Sequence, residues 1–81
     1  MKYIVYILFS EKYKKHYTGF TSNILERLKS HNEYGKGWTS RYRPWKLIHK
    51  EEYFDKSSAL RREKWLKTGA GRDFIKSLIA E

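Results

Sequence analysis

The chain has 81 residues, with 18 Lys and Arg against 9 Asp and Glu for a formal net charge of +9, and a chain this short is expected to form one domain, residues 1–81, around a modest core. It has no cysteine, which excludes disulfide scaffolds and thiolate metal sites, and no apolar run near the roughly 20 residues a membrane helix needs. The basic balance points instead to phosphate backbones, which attract Lys and Arg through salt-dependent counterion release.

Residues 3–9, YIVYILF, are β-branched and aromatic with both alternating faces apolar, which suits a central strand covered on both sides. The stretch is too short for a membrane span and has no small-residue cleavage site, so it is not read as a signal peptide; the cytoplasm is the expected location. A polar loop, residues 11–15, leads to a second strand at 16–20, and the two are expected to pair as a hairpin. Thr21, Ser22 and Asn23 mark a helix start, and Asn23 with Glu26 resembles a capping box. Ile24, Leu25 and Leu28 follow at helical spacing, with the helix expected to fray near residues 34–35.

Residues 34–45 hold Gly35, Gly37 and Pro44 without periodicity and read as a loop. Residues 46–53 alternate enough for a third strand. Asp55 is expected to cap a second helix over residues 56–68, with Gly69 as its left-handed C-terminal stop. A terminal helix over 71–80 would place Phe74, Ile75, Leu78 and Ile79 on one side. The order strand, strand, helix, strand, helix, helix gives an α+β domain: a small three-stranded, mostly antiparallel sheet flanked by helices. Three Trp, seven Tyr and four Phe are available to fill its core.

Four groups of residues carry possible chemistry. On the second helix, at 100° per residue, Glu63 falls in the arc defined by Ala59, Leu60 and Leu66, while Arg61, Arg62 and Lys64 are expected to point elsewhere. A carboxylate on a core face needs a cationic partner, a metal or an exit to water. On the first helix, Arg27 and His31 are four apart and share a face; they form either a solvated flank or the wall of a phosphate cleft. Tyr6 and Tyr17 lie mid-strand and share a face only if paired residue numbers add to an odd value, which a regular hairpin achieves with an even-length loop. The loop carries Tyr34, Lys36, Trp38, Arg41, Tyr42, Arg43, Trp45 and Lys46. Such interleaving suits nucleic acid, because cations meet phosphates and rings stack on exposed bases. Trp45, beside the third strand, is expected to cap the core instead.

Val5-Tyr6-Ile7, Tyr17-Thr18-Gly19, the segment TSNILERLKSH with Arg27 and His31, Glu63 in SALRREKWLK, and RYRPWKL at 41–47 occur in the order and spacing found in GIY-YIG nucleases. The chain resembles short bacterial stand-alone members of that family, similar to the N-terminal domain of excinuclease C. The triplets depart from the family pattern: VYI lacks the Gly, YTG lacks the Ile, Phe20 stands where some relatives have Lys, and no Asn follows Glu63.

The resemblance implies a GIY-YIG endonuclease fold and hydrolysis of DNA phosphodiester bonds in DNA repair or processing. It implies that Tyr6 helps activate or hold the attacking water, and that Tyr17 orients the scissile phosphate or assists that deprotonation. Arg27 would stabilise charge on the phosphate, His31 would act as general base or relay, and Glu63 would hold one divalent ion, Mg²⁺ or Mn²⁺. Lys36, Trp38, Arg41, Tyr42, Arg43 and Lys46 would contact the nucleic acid, DNA or RNA. A non-catalytic DNA- or RNA-binding module that keeps the fold is the alternative, and a ribosome-associated protein a third reading that rests on charge alone. A chain of this size leaves no room for a separate targeting module, so specificity would come from DNA shape or a partner protein.

Overall fold

The computed structural model describes residues 2–79. β1 (Tyr3–Ser10) lies at the centre of a three-stranded sheet of order β2-β1-β3, with β2 (Lys15–Thr21) and β3 (Lys46–Tyr53) both antiparallel to it. The two apolar faces of β1 explain its place. One presents Val5 and Ile7 to the buried Ala59, Leu66 and Ile75 of the second and third helices. The other presents Ile4, Tyr6 and Leu8 to Trp45, flanked by Tyr17, Ile24, Leu28, Tyr42 and Leu47. Each fully buried aliphatic side chain contributes roughly 1.5–3 kcal/mol, so helices on both faces are needed for so small a sheet to be stable.

The hairpin between β1 and β2 turns through Glu11 to Lys14, an even-length loop with Lys14 at φ 53°. Partner numbers therefore add to an odd value throughout: Tyr6 pairs with Gly19 and Leu8 with Tyr17. Paired residues share a face, so Tyr6 and Tyr17 stand diagonally on the same side. Between β1 and β3 the register shifts after Ile7, which pairs with His49 while Leu8 pairs with Leu47. The extra residue, Ile48, joins the Val5–Ile7 side.

α1 (Ile24–Lys29) begins as expected, with the Asn23 side chain accepting from the Glu26 N–H. The reciprocal half of the box is absent, because the Glu26 carboxylate accepts from the Tyr34 hydroxyl instead. Leu25 is exposed, leaving Ile24 and Leu28 as the packed stripe. The helix widens into a π-type turn over Ser30–Tyr34 and ends at the expected place, with Gly35 extended. The loop after it is more ordered than its glycines suggest. It contains a 3₁₀ turn, Trp38–Tyr42, and is pinned by a two-way bond in which Trp45 N–H donates to Asn32 Oδ1 and Asn32 Nδ2 donates to the Trp45 carbonyl.

α2 spans Lys56–Leu66 and is capped by Asp55, whose carboxylate accepts from the Ser58 N–H. Gly69 is not its left-handed stop. α2 ends in tightened bonds, Lys67 N–H to Lys64 O and Thr68 N–H to Trp65 O, and the Thr68 hydroxyl links the Trp65 carbonyl to the Gly71 N–H. With those groups satisfied no left-handed residue is needed, and Gly69 opens α3 (Gly69–Ile79) directly. A Cβ at Gly71 would collide with the Leu66 backbone and the Trp65 carbonyl, so glycine lets α3 dock this tightly. Leu78 and Leu60 are partly exposed and the packed side of α3 is built on Ile75, with Phe74 and Ile79 at its margin. The last expected helical position, Ala80, lies outside the described residues.

Candidate active site

Tyr6 is nearly inaccessible, 1% exposed, yet it carries a hydroxyl. A buried phenol needs a partner, and this one meets His31 Nε2 at 2.9 Å. His31, also buried, uses its other nitrogen on Thr39 Oγ1 at 3.0 Å. The three side chains form one continuous chain, Tyr6–His31–Thr39, drawn from β1, the π-type turn and the 3₁₀ turn. π-type widenings recur at functional sites, and this one delivers His31 to the sheet.

Gly19 makes the arrangement possible. It faces Tyr6 across the hairpin, and a Cβ there would overlap the Tyr6 hydroxyl and crowd the Tyr17 ring. The Tyr17 ring centroid lies 4.9 Å from that of His31 and 6.2 Å from that of Tyr6. Tyr17 is half-buried and lines an open cleft of about 300 Å³ together with Arg27, His31, Lys36, Trp38 and Thr39. Tyr6 sits behind this cleft wall. The structure thus brings Tyr6, Tyr17, Arg27 and His31 into one locality, with Arg27 exposed on its rim.

The electrostatics follow from burial and from these neighbours. Burial, then Tyr17, push the Tyr6 hydroxyl well above the ordinary phenol value; Arg27 opposes the shift and the Glu63 charge adds to it. Tyr6 is therefore protonated at neutral pH. Burial, followed by Arg27 and Arg43, lowers His31 below the ordinary imidazole value, so its ring is neutral there. A neutral ring donates from one nitrogen and accepts at the other, which matches a hydroxyl on each side.

Glu63 lies on α2 one turn before Leu66, its side chain 21% exposed, with Lys67 Nζ at 3.6 Å. Its charge is felt at the Tyr6 hydroxyl. Among the described residues no cluster of three or more His, Cys, Asp or Glu forms a complete metal cage. A single carboxylate with free lone pairs instead fits a Mg²⁺-type ion, which keeps its waters and takes phosphate oxygens from a substrate. Arg62, expected to face away, turns inward to pair with Glu51 at 2.9 Å and lies over Trp65 and Phe74.

The loop residues divide. Lys36 and Trp38 line the cleft beside Tyr17, and Trp38 is 45% exposed, in contact with Tyr42 and Trp45. Arg41 is exposed and shares a second cleft with Gly37, Trp38 and Ser40. Tyr42 packs against Tyr13 and the Trp45 cluster, and Lys46 is exposed at the start of β3 opposite Phe9. Arg43 is committed to backbone: Nε donates to His31 O, and Nη2 to Gly35 O and Ser30 O. Trp45 caps the core as expected, with Nε1 donating to Thr39 O. Sequence reasoning missed Thr39 and Asn32. Both are polar residues in non-periodic segments, and only their contacts reveal them.

Residues 2–72 match the family model of the GIY-YIG catalytic domain. The chain is 38% identical over 79 residues to the UPF0213 protein SH2523 of Staphylococcus haemolyticus (strain JCSC1435), covering 95% of this chain and 94% of that one. It is 44% identical over 68 residues to a UPF0213 protein of Syntrophus aciditrophicus (strain SB), covering 82% and 77%. The solution NMR structure of the UPF0213 protein BH0048 from Bacillus halodurans matches with a TM-score of 0.58 at 27% identity, over 96% of this chain and 85% of that chain. The α+β sheet, the paired tyrosines and these matches agree: the chain belongs to the GIY-YIG nuclease domain family, in its short UPF0213 form.

Proposed function

We propose that this protein is a divalent-metal-dependent endonuclease that hydrolyses DNA phosphodiester bonds, acting in DNA repair or processing. The observation that carries the reading is the buried Tyr6–His31–Thr39 chain set directly behind Tyr17 and Arg27. A phenol, an imidazole and a hydroxyl in series supply a donor, an acceptor and a group that orients the acceptor, which is what a proton relay uses.

Tyr17 lines the cleft and orients the scissile phosphate through its hydroxyl. Arg27, at the rim, lies against the charge that develops on the phosphate, and Lys36 adds to the field that draws the strand in. Tyr6 is protonated at rest, so it serves as a relay rather than a standing phenolate. In the tautomer whose Nδ1–H donates to Thr39, the His31 Nε2 lone pair faces the Tyr6 O–H. As the attacking water forms its bond to phosphorus and the bond to the leaving oxygen breaks, the water's proton passes to the Tyr6 oxygen, the Tyr6 proton to His31, and the leaving oxygen takes a proton from the solvent of the open cleft. Glu63 would hold a Mg²⁺ or Mn²⁺ ion, which when bound would supply positive charge to offset the charge that develops in phosphodiester cleavage.

The purified protein, incubated with nicked, flapped, branched and single-stranded DNA in Mg²⁺, Mn²⁺ or EDTA, is expected to cut in metal and not in EDTA. His31 must be neutral to accept a proton. Because its pKa is lowered, the acid limb of the rate profile should fall below the usual histidine value of 6.5. Binding without cleavage of any substrate, at high enzyme concentration and with either metal, would replace this reading with the non-catalytic binding module.

A further inference from the structure

Tyr17 borders a cleft on each side. The one toward α1 belongs to the site above. The other, about 180 Å³, lies on the α2–α3 side of the sheet and is lined by His16, Thr18, Leu66, Lys67 and Arg72 as well as Tyr17. β2 is an edge strand, and its residues alternate between faces. A nucleic-acid strand crossing this edge at Tyr17 would therefore meet both clefts in succession.

The second cleft is built rather than incidental. Gly71 lets α3 start hard against the end of α2, and this sets Arg72 beside β2. Lys67 reaches back to Glu63 at 3.6 Å, which ties the cleft to the carboxylate of the proposed metal site. Among the described residues neither Arg72 nor the nearby Lys76 has an ion-pair partner. Their field is felt at half-buried His16, which burial, then Arg72 and Lys76, hold below the ordinary imidazole value. A cleft that holds Arg72 without an ion-pair partner, together with Lys67, a hydroxyl and an imidazole, has the donor set for a phosphate group.

We propose that the His16–Thr18–Lys67–Arg72 cleft seats a backbone phosphate neighbouring the one presented to Tyr17, so that the bound strand wraps the edge of β2 from one face of the sheet to the other. This rests on the nuclease reading for its ligand, but its test does not depend on cleavage. Arg72 is exposed, so Arg72→Ala keeps the fold. It should weaken DNA binding about tenfold and lower the slope of log affinity against log salt by about 0.7–0.9, the share of one phosphate contact. Lys56→Ala removes the same charge from an exposed site at the start of α2 and should leave the slope unchanged. Equal slopes for the two variants would reduce the cleft to net charge and overturn the proposal.

A methylphosphonate scan of the strand localises the contact. One neutral linkage beside the cleaved bond should weaken the native protein and leave Arg72→Ala unaffected. A linkage that weakens both equally, at every position, overturns the subsite. A protein that binds with the expected slope difference but never cuts keeps the subsite and loses the nuclease reading; a protein that cuts with equal slopes does the reverse.

Discussion

Glu51 and Glu63 are a matched pair of carboxylates with different surroundings. Their side chains are exposed to nearly the same degree, 20% and 21%. Glu51, opposite Val5 in the sheet, is saturated. It accepts from Arg62 Nε and Nη2 at 2.9 and 3.0 Å and from the Tyr53 hydroxyl at 2.6 Å, and it meets His49 Nε2 at 2.9 Å. A carboxylate has about four lone-pair sites, and Glu51 has four contacts. Glu63 has one lysine at 3.6 Å. Burial alone does not separate a structural carboxylate from an available one. The count of lone pairs left over does.

The largest expected effect tests the available member. Glu63→Gln should lower the metal-dependent cleavage rate by about 10²–10³ while leaving the melting temperature nearly unchanged, because the removed charge has no close hydrogen bond. Kinetics and thermal unfolding on the same preparation decide it. A fall in stability matching the fall in rate would make Glu63 a second structural carboxylate and dissolve the contrast.

The saturated member should behave in the opposite way. Burial alone would raise Glu51, but its bonds to Arg62, Tyr53 and His49 overcome that and hold it at about 2. A carboxyl lowered on folding stabilises above its unfolded value, here 4.5, and the stabilisation is lost as pH falls toward 2. Glu51→Gln should cost about 1–2 kcal/mol near neutral pH, allowing for solvent screening at a partly exposed group. Denaturant titrations should show the gap to the native protein closing between pH 4.5 and 2. A gap independent of pH would assign the cost to lost packing rather than to charge.

How much of this was legible in the sequence depends on the range of the interaction. Helical spacing placed Glu63 beside Ala59 and Leu66, because a helix repeats locally. The same spacing had Arg62 pointing elsewhere, because its inward turn needs Glu51, a partner on β3. Tyr6 and Tyr17 were each placed in a strand, but their shared face hung on the parity of the hairpin loop, which single-residue propensities do not set. Thr39 had no signal, since a loop residue becomes a histidine partner only when the chain folds back. Gly69 misled because a glycine after a helix usually marks a left-handed stop, and here Thr68 satisfies the same groups through its hydroxyl.

The smallest effect extends the contrast from carboxylates to cations. Arg41 and Arg43 are two residues apart in one basic loop and look alike in sequence. Arg43 spends its Nε and Nη2 donors on the carbonyls of Ser30, His31 and Gly35, and so holds the turn that carries His31. Arg41 is exposed beside Trp38 and free to meet a phosphate. Arg41→Ala should lower the salt slope of DNA binding by about 0.7–0.9 without changing the melting temperature. Arg43→Ala should lower the melting temperature and leave the slope in place. The reverse assignment, a slope change at Arg43 with stability intact, would show that carbonyl contacts do not prevent an arginine from serving the strand, and saturation would then lose its value for sorting the charges of this surface.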